Sequence, residues 1–131
     1  RRQQRPSRVV RERMQVDADA SILALRALHS ADAKPYVLEK RWIDLAVVPS
    51  AAKADFNMQS PNEWLVAHVP FSGGELVLSA RTVTDEDAAD LGCETGASVF
   101  VAERRTRNTQ GATITVVHLV YAPGYQMVID L

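Results

Sequence analysis

Residues 35–65 read PYVLEKRWIDLAVVPSAAKADFNMQSPNEWL, and this stretch predicts one strand followed by two short helices. Glu39 and Arg41 are two residues apart, so on an extended chain their side chains point to one side of a sheet. Leu38 and Trp42 point to the other side. A charged pair on an otherwise apolar strand indicates either a solvated surface or the lining of a pocket.

Two helix-start signals follow the strand and favour the pocket. Ser60-Pro61-Asn62-Glu63 is a capping box with proline at the first helical position, and it predicts a helix over residues 62–67. Ser50 is expected to cap a shorter helix that closes at Asp55. A strand and two helix N-termini therefore follow one another within a short length of chain.

The remaining pattern predicts strands separated by one more helix. That helix runs from its cap, Thr84, to Leu91, and Gly92 ends it. The predicted strands cover residues 9–16, 21–30, 37–43, 75–83, 97–106, 113–121 and 126–131. The second and third form a hairpin. Residues 9–43 parallel the strand–helix–hairpin pattern of residues 75–121, but without the helix. We therefore predict an α+β fold, a mainly antiparallel sheet with short helices packed on it.

Length and charge limit the possible functions. A chain of 131 residues with 47% hydrophobic content is long enough for one domain with a real core. A net charge of −1 gives the chain as a whole no electrostatic footprint for DNA. Six arginines lie within residues 1–13; they are interpreted as part of a linker rather than as a phosphate-binding arm.

The chain carries no signal of secretion or membrane insertion. Its single cysteine, Cys93, has no partner for an intramolecular disulfide, which is typical of a reducing compartment. No signal peptide and no apolar run of membrane-spanning length is present. We expect a soluble, cytoplasmic protein with no membrane contact.

Several ordered segments resemble one known family. Residues 38–70, LEKRWIDLAVVPSAAKADFNMQSPNEWLVAHVP, are similar to the middle of the effector-binding (UTRA) domain of GntR-type transcription regulators, most closely the histidine-utilisation repressor subfamily. The segments ADLGCETGASVFVAERRT, ATITVV and VYAPGY follow in the order and approximate spacing of that family's last helix and two strands. The resemblance covers nearly the whole chain.

The resemblance implies a fold, a division of the chain and partners. The fold is chorismate-lyase-like, residues 1–8 are a linker from a missing N-terminal winged helix-turn-helix, and residues 9–131 are the effector-binding domain. The domain is expected to form a homodimer and to act on DNA only through that missing module. The family usually places a helix between its first two strands, and the sequence pattern predicts none here.

The sequence lacks the signatures of an enzyme. It has no Cys/His metal spacing, glycine-rich phosphate loop or nucleophile elbow, so we predict no catalytic residues, no metal and no cofactor. A pocket for a small ligand requires apolar walls and a few convergent polar groups. The candidates for effector binding are Ser7, His29, Glu39, Arg41, Ser60, Arg105, Thr115 and Tyr121.

Each candidate also has a structural explanation. Glu39 with Arg41 is either a strand-face ion pair or a pocket lining, and Ser60 is first of all a helix cap. Arg105 suits a carboxylate or phosphate, although a salt bridge to a neighbouring acid explains it equally. Tyr121 is either a ligand contact or a core aromatic.

The resemblance places His29 and Glu39 at the effector cavity and polar contacts at Thr115 and Tyr121, and it matches Ser7 to an entry-loop contact. His68 and His118 are expected to be structural. The register of the last hairpin decides whether Arg105 and Thr115 are adjacent. We expect Glu39, Arg105 and Tyr121 to share one cavity.

The predicted ligand is a small acidic metabolite, a carboxylate or a phosphate. The subfamily resemblance points to urocanate, whose carboxylate would contact Arg41 or Arg105 and whose ring would contact Glu39 or Tyr121. Two alternatives remain, a small lyase or isomerase on the same fold and a ligand-free dimerisation module.

Overall fold

Strands and short helices alternate in the computed structural model, which describes residues 1–131. The strands are β1 (Arg2–Gln4), β2 (Ile22–Ala31), β3 (Lys34–Asp44), β4 (Gly73–Thr82), β5 (Ser98–Arg107) and β6 (Thr113–Tyr121). The α-helices are α1 (Arg8–Met14), α2 (Pro61–His68) and α3 (Asp85–Leu91), and a 3₁₀ helix spans Pro49–Lys53. None of these helices combines the length and the apolar character that crossing a bilayer requires. All six strands form one antiparallel sheet in the order β1-β2-β3-β6-β5-β4, which confirms the predicted fold class.

The chain repeats one pattern of strand, helix and hairpin. The first copy is β1-α1-β2-β3 and the second is β4-α3-β5-β6. Strands β3 and β6 pair at the centre of the sheet and join the two copies. The predicted repeat is thus present in full, including the helix that the sequence pattern did not indicate in the first copy.

The prediction of a strand at residues 9–16 is wrong, because this segment forms α1. Ser7 caps the helix, and its hydroxyl accepts a hydrogen bond from the Val10 backbone N–H at 3.3 Å. Val10 and Met14 are four residues apart and are buried together against Trp42. The helical spacing of these two side chains outweighs the strand preference of adjacent valines. Part of the segment assigned to a linker, Arg2–Gln4, forms the edge strand β1.

Two further predictions are wrong and three are confirmed. Residues 126–131 form no strand, and Ser50 lies inside a 3₁₀ helix that starts at Pro49. The caps of α2 and α3 are those predicted: Ser60 accepts from the Glu63 N–H, and Thr84 accepts from the Asp87 N–H. The hairpin of β2 and β3 is also confirmed, with positive φ at both residues of its two-residue turn.

The register divides the sheet into two faces. One face carries Leu38, Trp42 and Val120 and packs against α1 and α3; we call it the α1–α3 face. The opposite face carries Glu39 and Arg41, and α2 and the 3₁₀ helix cover part of it; we call it the α2 face. On the α2 face an apolar cluster fixes the helices to the sheet, and it consists of Leu23, Ile43, Val48, Ala51, Trp64, Leu65 and Ile114.

Candidate functional site

A cavity of about 430 Å³ lies on the α2 face between the sheet and the start of α2. Strands β2 and β3 supply His29, Glu39 and Arg41, and Ser60 lies at the helix start. The rest of the lining is Arg1, Leu25, Arg26, Ala27, Phe56, Asn57, Pro61 and Asn62. We call it the polar cavity. Four of the eight predicted effector-binding residues are thus brought together.

Arg41 is the most deeply buried charged group of this cavity, with 3% of its surface exposed. Its Nε donates to Glu39 Oε2 at 3.3 Å, and its Nη1 donates to Thr115 Oγ1 at 3.4 Å. Its Nη2 makes no hydrogen bond within the protein. Burial lowers the pKa of Arg41, the carboxylate of Glu39 opposes this, and Arg104 lowers it further. Arg41 therefore has the charge and a free donor for an additional acceptor.

Glu39 connects Arg41 to His29. Its second oxygen, Oε1, lies 3.1 Å from His29 Nε2, while Oε2 accepts from Arg41. His29 and Glu39 lie on the same face of the sheet, because the β2–β3 register pairs His29 with Val37, two residues before Glu39. Together the three side chains present a cation, an anion and an imidazole along one wall of the cavity.

The start of α2 forms the opposite edge of the polar cavity. Ser60 Oγ accepts from the Glu63 N–H at 3.2 Å, which satisfies one of the free N–H groups of the first turn. The remaining N–H groups and the helix dipole give this edge a partial positive charge. An anion between Arg41 and the start of α2 would therefore be attracted from both sides.

Thr115 supports the site and does not line the polar cavity. Its hydroxyl donates to the carbonyl of Trp42 at 2.8 Å and accepts from Arg41, which fixes the position of the guanidinium. Thr115 lines a second, neighbouring cavity of about 370 Å³ between α2 and strands β4 and β5. We call this the apolar cavity; Asn62 lines both cavities.

The side chain of Arg105 belongs to the other face of the sheet. The register pairs Arg105 with Val116, and its Nε donates to the carbonyl of Arg13 in α1 at 2.6 Å. Its Nη1 also contacts Glu75 at 3.5 Å. The salt bridge left open as an alternative is therefore present. The register also answers the open question of adjacency: Thr115 pairs with Thr106, so Arg105 and Thr115 point to opposite faces of the sheet.

Tyr121 and Ser7 also lie away from the polar cavity. Tyr121 packs with Val37 in a small apolar cluster and stacks on Tyr125 with 3.8 Å between ring centroids. Burial raises the pKa of Tyr121 to about 12. Ser7 caps α1, which packs on the α1–α3 face. The expectation that Glu39, Arg105 and Tyr121 share one cavity is therefore wrong, because only Glu39 lines the polar cavity.

Two arginines that the sequence did not indicate as site residues lie on the α2 face. Arg104 Nη2 donates to Asn62 Oδ1 at 2.9 Å, beside the apolar cavity. Arg1 binds the carbonyls of Ala51, Ala52 and Ala54 on the 3₁₀ helix, and its guanidinium lies 5.1 Å from the Phe56 ring centre. Nothing local to Arg1 predicts this contact, since its partners lie fifty residues further along the chain.

Comparison with known proteins shows the family to which the chain belongs. The model of the UTRA domain matches residues 1–125. The histidine utilization repressor of Pseudomonas aeruginosa is 30% identical over 97 residues, which is 74% of this chain and 38% of that protein. The corresponding repressor of Pseudomonas putida is 30% identical over 79 residues, 60% of this chain and 32% of that protein. The chain spans about a third of the length of these curated relatives.

Solved structures show the same fold. The C-terminal domain of the histidine utilization repressor of Pseudomonas syringae aligns with a TM-score of 0.89 and 18% identity, over 99% of this chain and 92% of that chain. The effector-binding domain of the B. subtilis trehalose repressor also aligns with a TM-score of 0.89, at 15% identity, over 99% and 91% of the two chains. The family match over residues 1–125 identifies the chain as a member of the UTRA domain family, the effector-binding domains of GntR-type regulators.

Proposed function

We propose that this domain binds a small organic anion in the polar cavity and passes the binding event to a DNA-binding module in the full-length regulator. The observation that carries the proposal is Arg41, a buried guanidinium whose Nη2 has no partner within the protein. A ligand carboxylate or phosphate in the polar cavity would give this Nη2 a charged acceptor in place of water.

Urocanate is the ligand that we test first. Its carboxylate would accept from Arg41 Nη2 and face the start of α2, while its imidazole ring would lie beside Glu39 and His29. The names of the Pseudomonas relatives support a link to histidine utilisation. Our proposal extends to other small carboxylates and phosphates, because the contacts at Arg41 recognise an anion and not a particular ring.

The site is proposed to recognise its ligand without converting it. Glu39 is engaged by both Arg41 and His29, so its carboxylate serves to orient two neighbours. A catalytic base would instead be expected to have a free oxygen directed at the ligand. The relatives named above are repressors, which supports the same assignment.

The partners of the full-length protein are also part of the proposal. The curated relatives extend well beyond the matched segment, which supports a winged helix-turn-helix before this domain as the DNA-binding part. Since Arg2–Gln4 belongs to the sheet, the connection between the two parts is proposed to lie before β1. A homodimer is supported by exposed apolar side chains near the C-terminus; Val128 and Ile129 are 83% and 64% exposed. Sedimentation of the wild type and of Val128→Asp with Ile129→Asp tests it; a dimer that the substitutions dissociate is the expected result.

A ligand screen with matched variants tests the anion site. Melting temperature is measured with urocanate and with other carboxylates and phosphates for the wild type, Arg41→Gln and Arg107→Gln. Ligand at about 100 times Kd adds about 2.7 kcal/mol of stability, so a shift of several degrees is expected. Arg107→Gln removes the same charge at a residue that does not line the polar cavity, and it is the control.

The outcomes separate the proposal from its alternatives. Loss of a charge-assisted hydrogen bond costs about 1.5–3 kcal/mol, so Arg41→Gln is expected to weaken binding tenfold or more, while Arg107→Gln binds as the wild type does. Equal binding by Arg41→Gln would disprove the site. Consumption of urocanate by the purified protein would favour the enzyme, and the absence of any shift would favour a ligand-free dimerisation module.

A further inference from the structure

The apolar cavity adjoins the polar cavity and has a different chemical character. One side of α2 lines it with Asn62, Leu65 and Val66, which are three and four residues apart. Val69, the residue that follows the helix, extends this lining. Strand β4 contributes Leu76 across the gap. The α2 wall is therefore mainly hydrocarbon. The sheet wall combines Leu76 and Ile114 with polar residues, which are Glu75, Arg104, Arg105, Thr106 and Thr115.

Several large apolar side chains that border this space are exposed to solvent. Val66, Phe71 and Leu76 are 59%, 55% and 57% exposed, and they come from a helix, a connector and a strand. Single exposed apolar residues are ordinary on a protein surface, but three that converge on one concave site are typical of a binding pocket. Filling the cavity would remove hydrocarbon surface from water on both walls.

A cation lies at the end where the two cavities meet. Arg104 contacts Asn62 and has no carboxylate partner within the protein, in contrast to Arg105 and Arg107, which both pair with Glu75. Thr115 lines the apolar cavity and bonds Arg41, which lines the polar one. An anionic group at this junction would face guanidinium groups from both sides.

We propose that the apolar cavity is a second subsite, which takes the hydrocarbon part of an amphipathic carboxylate whose acidic group lies at the junction between Arg41 and Arg104. The inference rests on the proposed anion site and narrows its ligand class. A phosphorylated sugar leaves the apolar walls uncovered, whereas an alkyl or aryl carboxylate covers them.

A series of straight-chain carboxylates tests the subsite. Butanoate, hexanoate and octanoate are titrated into the protein, and Kd is obtained from methyl NMR shifts. Each buried methylene is expected to tighten binding about fourfold. Leu76→Ser is expected to reduce this dependence on chain length, because it removes one hydrocarbon wall of the cavity.

Leu78→Ser is the matched control. Leu78 is exposed, and its side chain lies on the same strand and the same face as Leu76, but it does not line the cavity. In this variant, Kd is expected to depend on the chain length of the carboxylate as it does in the wild type. The oligomeric state is also expected to be that of the wild type. The subsite is overturned if the Kd of the wild type does not depend on chain length. It is also overturned if Kd depends on chain length as strongly in Leu76→Ser as in the wild type.

A parallel titration with urocanate and Arg41→Gln distinguishes the two proposals. If urocanate binding requires Arg41 but added methylenes do not increase affinity, the apolar subsite is overturned and the anion site is supported. If urocanate binding does not require Arg41 and affinity does not depend on chain length, both proposals are overturned. Chain-length dependence that requires Leu76, with carboxylate binding that requires Arg41, supports both.

Discussion

Arg41 and Arg104 lie on the same face of the sheet on either side of β6, where Val117 pairs with both of them. Neighbouring strands are about 4.8 Å apart, so the two arginine main chains are separated by about 10 Å. Only Arg41 has a carboxylate partner, Glu39, and Arg104 contributes to the lowered pKa of Arg41. The α2 face therefore carries more positive than negative charge at the junction of the two cavities.

Arg104 and Arg105 are expected to differ in their effect on anion binding although they are adjacent in sequence. Arg104→Gln removes a cation from the junction and is expected to weaken carboxylate binding by about 1–2 kcal/mol. Arg105→Gln alters the opposite face and is expected to change the affinity less than twofold. Isothermal titration of both variants checks this, and a larger effect of Arg105→Gln would contradict the register described above.

Ser60 is expected to show separate structural and binding roles. Ser60→Ala removes the N-cap of α2 and is expected to lower the free energy of unfolding by about 1 kcal/mol. Ser60→Asp keeps a capping oxygen and is expected to leave that free energy near the wild-type value. Its negative charge lies beside the polar cavity, so anion affinity is expected to fall. Urea denaturation and ligand titration of both variants measure the two effects, and unchanged affinity in Ser60→Asp would place the anion elsewhere.

His118 is expected to lower the stability of the folded protein at acidic pH. The ring donates from Nδ1 to Glu103 at 2.9 Å and accepts at Nε2 from Arg81 at 3.4 Å, so the folded protein holds it neutral. Burial lowers the pKa of His118 from its ordinary value of 6.5, Arg13 and Arg81 lower it further, and Glu103 opposes them. The unfolded chain thus binds the proton at a higher pH than the folded chain.

Stability is accordingly expected to fall as the pH drops below 6.5 towards the lowered pKa of His118. This residue contributes a slope of at most about 1.4 kcal/mol per pH unit. His118→Gln cannot titrate and is expected to show a smaller decrease between about pH 7 and pH 5. Urea denaturation across that range measures the difference, and identical slopes for both proteins would contradict the assignment.

Gly74 is expected to tolerate no side chain. A Cβ at this position would lie 1.9 Å from the carbonyl oxygen of Arg105 on the paired strand. Gly74→Ala therefore has to displace β4 from β5, and we expect it to lower the free energy of unfolding by about 1–3 kcal/mol. Ser79→Ala, at an exposed position of the same strand, is expected to change it by less than about 0.5 kcal/mol. Chemical denaturation of both variants checks the contrast, and equal stabilities would show that the strands adjust without strain.

The features that the sequence predicted well are those decided within a few residues. The caps Ser60 and Thr84 act on N–H groups three residues away, and Gly92 ends α3 by adopting a positive φ. The alternation along β3 places Glu39 and Arg41 on one face because the side-chain period of a strand is two. The sequence pattern does not indicate helix α1, because a seven-residue helix depends on the packing of Val10 and Met14 more than on local preference.

The sequence by itself thus determined the element types around the site, the hairpin that carries His29 and Glu39, and the family. Only the tertiary structure decided that Arg104 rather than Arg105 faces α2, because shifting a strand pair by one residue exchanges its two faces. The bulge between Thr106 and Arg107 contributes to that register, and it forms only when β5 and β6 pair. The apolar cavity is likewise a tertiary feature, because its walls come from a helix and a strand that meet only in the folded protein.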